Sequence, residues 1–145
     1  MHAPEAMTAE VRTIAPDATV AEAAELIIGS GYGAIPVVNR DRTLRGVVTR
    51  VALVRQSLPS YLQEVGDLYR SAEFEPLEEQ VRELALLPVR DVMEPALAVT
   101  EDTPLAEVAA LMVTHHAQQA AVTKDGLLLG VLGLQDTIER IAWRG

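Results

Sequence analysis

The chain has 145 residues, 49% of them hydrophobic, a formal net charge of -9 and no cysteine. That is enough apolar material to bury one compact core or two small ones. The acidic balance argues against a nucleic-acid partner, and the lack of cysteine excludes disulfides, thiolate nucleophiles and cysteine metal sites. No apolar run approaches the ~20 residues of a membrane span, and Met1 to Val11 lacks the basic-plus-apolar pattern of a secretory signal. A soluble cytoplasmic protein with no membrane partner is therefore expected.

Along the chain, Met7-Thr8 stands ahead of a short apolar segment, Val11 to Ile14. Asp17-Ala18-Thr19 then offers side chains that cap a helix, and Val20, Ala23, Ala24, Ile27 and Ile28 recur at helical spacing. Gly29 and Gly31 should end that helix. "AIPVV" from Ala34 reads as a strand, "NRDRT" as a polar turn and "LRGVV" as the returning strand, with a further helix behind it. Between Val54 and Pro88, "YLQEVGDLY" and "EPLEEQVRELALL" place Leu62, Val65, Leu68, Tyr69, Leu77, Val81 and Leu84 at helical spacing. Amphipathic helices that need a partner surface are expected there.

The same order then returns. "VRDVMEP" at Val89 repeats the methionine context, Leu97 to Val99 the apolar segment, and Asp102-Thr103-Pro104 the cap, with Pro104 suited to the first helical turn. Leu105, Val108, Ala109 and Met112 renew the helical stripe, "AAVT" and "LLLGVL" flank the turn "KDG", and a last helix closes the copy. Strand, helix, strand, strand, helix occurs twice, and internal repetition is the strongest signal in the chain. Tyr61, Tyr69, Phe74 and Trp143 hold most of the aromatic area and read as core residues.

"TIAPDATVAEAAELI" followed by "AIPVVNRDRTLRGVVT", and "VRDVMEP" followed by "AVTEDTPLAEVAALM" and "GLLLGVLGLQD", resemble the CBS domain, so that the whole chain looks like a tandem CBS pair. The resemblance covers residues 7–56 and 89–142. It implies an α/β (α+β) fold of two β-α-β-β-α repeats packed about a pseudo-twofold axis, with repeat 1 at 1–56, a helical insert at 57–88 and repeat 2 at 89–145. Two clefts between the repeats that can take an adenosine-containing ligand (AMP, ADP, ATP or S-adenosylmethionine) are implied as well. Such a ligand would be regulatory, with no cofactor required. Association into a homodimer and an unknown regulated protein complete the implied partners.

The family's nucleotide signature is Gly-x-x-Thr/Ser-x-x-Asp, and each copy is incomplete in a different place. Gly46-Val47-Val48-Thr49-Arg50-Val51-Ala52 keeps the hydroxyl that serves a phosphate and lacks the carboxylate. Gly130-Val131-Leu132-Gly133-Leu134-Gln135-Asp136 keeps the carboxylate, which can accept both ribose hydroxyls, and lacks the hydroxyl. The candidate ligand residues are thus Asp136, Gly133, Thr49 and Arg50, with Ile35, Pro36, Ala120 and Ala121 from the preceding strands. The competing readings are a helix N-cap for Asp136 and plain strand packing for Thr49. The alternative function is a ligand-free interaction module.

Other polar groups point to less. Arg40, Arg42, Arg45, Arg50 and Arg55 make one region locally basic, which suits a small anion or a solvated face. His115 and His116 end a helix, where imidazolium favours the C-terminus, and the histidines show no metal-ligand spacing. "GSGYGAIP" follows a helix and precedes a strand, the reverse of a dinucleotide fingerprint. Ser30, Ser57, Ser60 and Ser71 lack a base at any recognisable spacing, so an enzyme is not expected.

Overall fold

The computed structural model describes residues 2–5, 7–9, 11–30, 33–57 and 82–144. The segment "YLQEVGDLY", the first part of "EPLEEQVRELALL", Tyr61, Tyr69, Phe74 and the Trp143 side chain lie outside them. In the first half, α1 (Val20–Ser30) precedes the hairpin of β1 (Ala34–Val38) and β2 (Leu44–Thr49), and α2 (Arg50–Ser57) follows. In the second half, β3 (Ala98–Thr100), α3 (Leu105–Thr114), β4 (Gln119–Lys124), β5 (Leu127–Gly133) and α4 (Leu134–Arg144) take the same order. Each hairpin is antiparallel, and each carries a register shift at the same place, after Val37 and after Val122.

The first strand differs between the copies. β3 lies parallel to β4, Val99 beside Val122, whereas the Val11 to Ile14 segment contributes one bridge, Ile14 to Val37. The Ile14 N–H donates to Pro36 at 3.0 Å and its carbonyl accepts from Val38 at 2.9 Å. Pro16 follows two residues later and has no N–H with which to lengthen the ladder.

Helix entry also differs. Thr19 caps α1 as its sequence predicts, its hydroxyl oxygen accepting the Glu22 N–H at 3.2 Å. Before α3 no side chain caps the helix, and Pro104 sits one position earlier than its sequence suggests, with φ -59° and ψ 143°. That extended ψ leaves its carbonyl to accept from Glu107 and Val108 at 3.0 and 3.1 Å. Thr103 turns away to accept from the Thr100 N–H at 3.1 Å. At the other end of α3, His115 is the terminal residue and His116 adopts φ 54°.

The two halves are interlocked by their leading segments. Thr8 forms an antiparallel bridge with Val131 of the second hairpin, with reciprocal hydrogen bonds of 2.9 and 3.0 Å. Glu94 does the same with Val47 of the first hairpin, at 2.9 and 2.8 Å. Each copy's leader therefore extends the other copy's sheet. This exchange explains the glycine that opens each signature. A Cβ at Gly46 would stand 2.7 Å from the Glu94 carbonyl oxygen, and one at Gly130 would stand 2.6 Å from that of Thr8. Only glycine admits a backbone that close.

The cores follow the exchange. Ile14, Ala23, Ile27, Ile35, Val37 and Val48 pack with Val89, and Met93 lies against them. In the other half Val99, Leu105, Val108, Met112, Ala120, Val122 and Leu132 pack with Ala3, and Met7 lies against them. A third cluster joins the repeats: Val38 with Ala121, Leu128 and Val131, flanked by Val11 and Leu44. The hairpin tips meet there as well, Leu44 donating to Gly126 at 3.0 Å and Leu128 to Arg42 at 2.9 Å. The second tip is a two-residue turn with positive φ at Asp125 and Gly126, which matches strand twist. In the first, Arg42 takes φ 70° and its Nε donates to the Leu128 carbonyl at 3.1 Å. Beside it, the hydroxyl and N–H of Thr43 hold the Asp41 carboxyl below the usual carboxylate range.

Residues 82–86 are helical and deliver buried Leu84 to a small cluster with Val20 and Val92. Among the described residues, no helix is long and apolar enough to cross a membrane.

Candidate functional site

Strand register sorts the candidate residues into two faces, because directly opposed residues project to the same side and successive ones alternate. In the second hairpin, Ala120 faces Leu132 and both belong to the core under α3. Ala121 faces Val131, and both belong to the cluster between the repeats. One step further, Gln119 opposes Gly133 and so shares that inter-repeat face. In the first hairpin, Ile35 and Val48 are opposed in the core, while Pro36 opposes Val47 and Ala34 opposes Thr49.

Thr49, Gly133, Pro36 and Ala121 are thereby brought to the surface where the two sheets face each other. Ile35 and Ala120 are not. Their side chains fill the cores of their own repeats, 1% and 0% exposed.

Thr49 has an assigned task. It stands immediately before α2, and its hydroxyl oxygen accepts the Ala52 N–H at 3.0 Å, which satisfies one of the helix's open donors. The reading of Thr49 as plain strand packing is thus replaced by a capping role. Its hydroxyl proton is still able to donate. Arg50 begins α2, its N–H bound to the Gly33 carbonyl at 2.8 Å. Its guanidinium lies over Gly33, where a Cβ would meet Nη2 at 2.9 Å, and the positive φ of 71° there suits glycine.

Three other arginines of the basic region are engaged by the protein itself. Arg42 braces the second hairpin, Arg45 donates to Asn39 at 3.2 Å, and Arg55 pairs with Glu94 at 3.5 Å.

At the second signature, Gly133 ends β5 and α4 begins at Leu134, whose N–H donates to the Gln118 carbonyl at 2.9 Å. Asp136 is the third residue of α4, so it is not the N-cap that its sequence position suggested. An acidic group in this first turn is favoured by the helix dipole. Its neighbours are occupied. Gln135 donates to Glu139 at 3.2 Å, and buried Thr137 donates to the Gly133 carbonyl at 2.9 Å. Asp136 is half-buried, and its carboxylate has no hydrogen-bond or ion-pair partner among the described residues.

Sequence reasoning missed Gln119. It is 9% exposed, and its Nε2 is buried with no hydrogen-bond partner among the described residues. The signal was present in "HAQQAAVT", where a glutamine enters an apolar strand in phase with Ala121. Among the described residues, no three His, Asp or Glu side chains are grouped to hold a metal ion.

The sequence model of the CBS domain matches residues 4–58 and again 89–142. No curated protein matches the chain. Among solved structures, the chain is similar to a CBS domain-containing protein of unknown function from Kribbella flavida, 26% identical, covering 98% of this chain and 99% of that one at a TM-score of 0.76. It is also similar to CBSX2 in complex with AMP, 24% identical, covering 97% and 94% at a TM-score of 0.72. The CBS domains of a transcriptional regulator from Streptococcus pneumoniae are 19% identical, covering 96% and 98% at 0.67.

Proposed function

Since the chain belongs to the CBS domain family, and carries that domain twice, we propose that it is a regulatory module that senses an adenosine-containing ligand in the cleft lined by Asp136. One observation carries this reading. A half-buried carboxylate at the head of α4, unpartnered among the described residues, can accept two vicinal hydroxyls at once, as a ribose presents them. The amides of the same helical turn suit an attached phosphate. The AMP bound by CBSX2, a protein of the same fold, is in keeping with that class of ligand.

AMP, ADP, ATP and S-adenosylmethionine are the ligands to be distinguished, none of them a required cofactor. We assign the cleft no catalytic step. The first signature, with alanine at position 52 and its threonine committed to a cap, is the weaker ribose site. We further propose a homodimer formed through helix faces, because Val51, Val54, Ile138 and Ile141 are exposed on α2 and α4.

A thermal-shift panel of the four ligands tests the assignment. A ligand present at ~100 times its dissociation constant should stabilise the native state by ~2.7 kcal/mol. No shift with any of the four, at millimolar concentration, would remove the sensing role.

A further inference from the structure

The register places two unlike pairs at equivalent points of the two hairpins. In the first, Ala34 opposes Thr49, and in the second Gln119 opposes Gly133. A small residue facing a hydroxyl is thus replaced by a long amide facing no side chain at all. The amide is held on the inter-repeat face, 9% exposed, with its Nε2 buried and unpartnered among the described residues. A buried donor of this kind is rare in a folded protein unless something outside the chain completes it.

The position says what that partner is. Gly133 immediately precedes α4, so the residue opposing it lies beside that helix's first turn, to which Asp136 belongs. That turn offers N–H dipoles of the same polarity as the amide donor. A donor flanked by further donors calls for an acceptor of concentrated negative charge.

We propose that Gln119 is the phosphate-binding donor of this cleft, its Nε2 reaching over Gly133 to take the place of the hydroxyl that the second signature lacks. The ligand class is then narrowed to nucleoside phosphates, with the amide on a phosphate oxygen and Asp136 on the ribose. This rests on the assignment of the Asp136 cleft as a nucleoside site. It also accounts for the incomplete signature, since the missing group has moved across the strand pair to the opposing residue.

Calorimetric titration with AMP and with adenosine, on four forms of the protein, tests the proposal. For Gln119→Ala, AMP affinity should fall by about tenfold or more, while adenosine affinity stays within about twofold of wild type. For Gln119→Ala/Gly133→Thr, which transplants the Ala34 and Thr49 pair onto the second hairpin, the preference for AMP over adenosine should return. That double variant also guards against a simple packing defect, since the same pair is already accommodated in the first repeat. For Asp136→Ala, both ligands should weaken together. If Asp136→Ala weakens both but Gln119→Ala leaves AMP unchanged, or weakens AMP and adenosine equally, the role of Gln119 is refuted while the nucleoside site stands. If the wild-type protein binds neither ligand, the site itself fails and this proposal with it.

Discussion

Thr49 and Asp136 occupy matching neighbourhoods, each beside the first turn of a helix that leaves a hairpin, yet the structure gives them different work. Thr49 spends its oxygen on the Ala52 N–H at 3.0 Å. Removing it as Thr49→Ala should destabilise the fold by about 0.5 to 2 kcal/mol, read from a denaturant midpoint, while nucleotide affinity at the other cleft is unchanged. A stability equal to wild type would show that the cap does not matter. Asp136 caps no helix among the described residues, so Asp136→Ala should lower stability only by the ~0.3 to 1 kcal/mol of a helix-dipole interaction. The sequence names both residues but cannot separate these roles. Which of them owes its polar group to the fold depends on whether the helix begins just after the residue, as at Arg50, or two positions before it, as at Leu134. Gln119 was harder to read, because its meaning comes from Gly133 across the ladder, a neighbour fixed only by register.

The helices and strands of both copies were legible because their signals are local. Ala34 to Val38 is apolar and bounded by glycine and a polar turn, and it forms β1 over those residues. Of the helical stripe, Val20, Ala23 and Ile27 became the buried side of α1, whereas Ile28 is 85% exposed. The exchange of leaders was not legible. Met7-Thr8 and Met93-Glu94 could be seen to precede each copy, but nothing local states that each would join the other copy's sheet. For the same reason the glycines at 46 and 130 read as part of a ligand signature, although the backbone of the exchanged leader is what forbids a side chain there. Gly130→Ala and Gly46→Ala should each destabilise the protein by about 1 to 3 kcal/mol, since the obstructing atoms are backbone carbonyl oxygens 2.6 and 2.7 Å away. Chemical denaturation checks this, and an alanine variant as stable as wild type would mean that the leader does not lie on the strand.

For the molecule as a whole, reciprocal leaders and the cluster of Val38, Ala121, Leu128 and Val131 tie the two repeats into one folding unit. Single-transition unfolding is the natural consequence. The outer helix faces are less complete, with Ile138 51% and Val51 63% exposed. Light scattering at micromolar concentration should therefore report a dimer, and a strictly monomeric protein would refute association through these helices. The proposed sensing role, however, turns on one carboxylate. The most direct test is isothermal calorimetry of AMP against wild type and Asp136→Ala, with folding of both checked first. Saturable one-site binding to wild type is expected, with a loss of about tenfold or more in affinity on substitution, as for charge-assisted bonds to a ribose. Equal affinity in the two proteins would contradict that role.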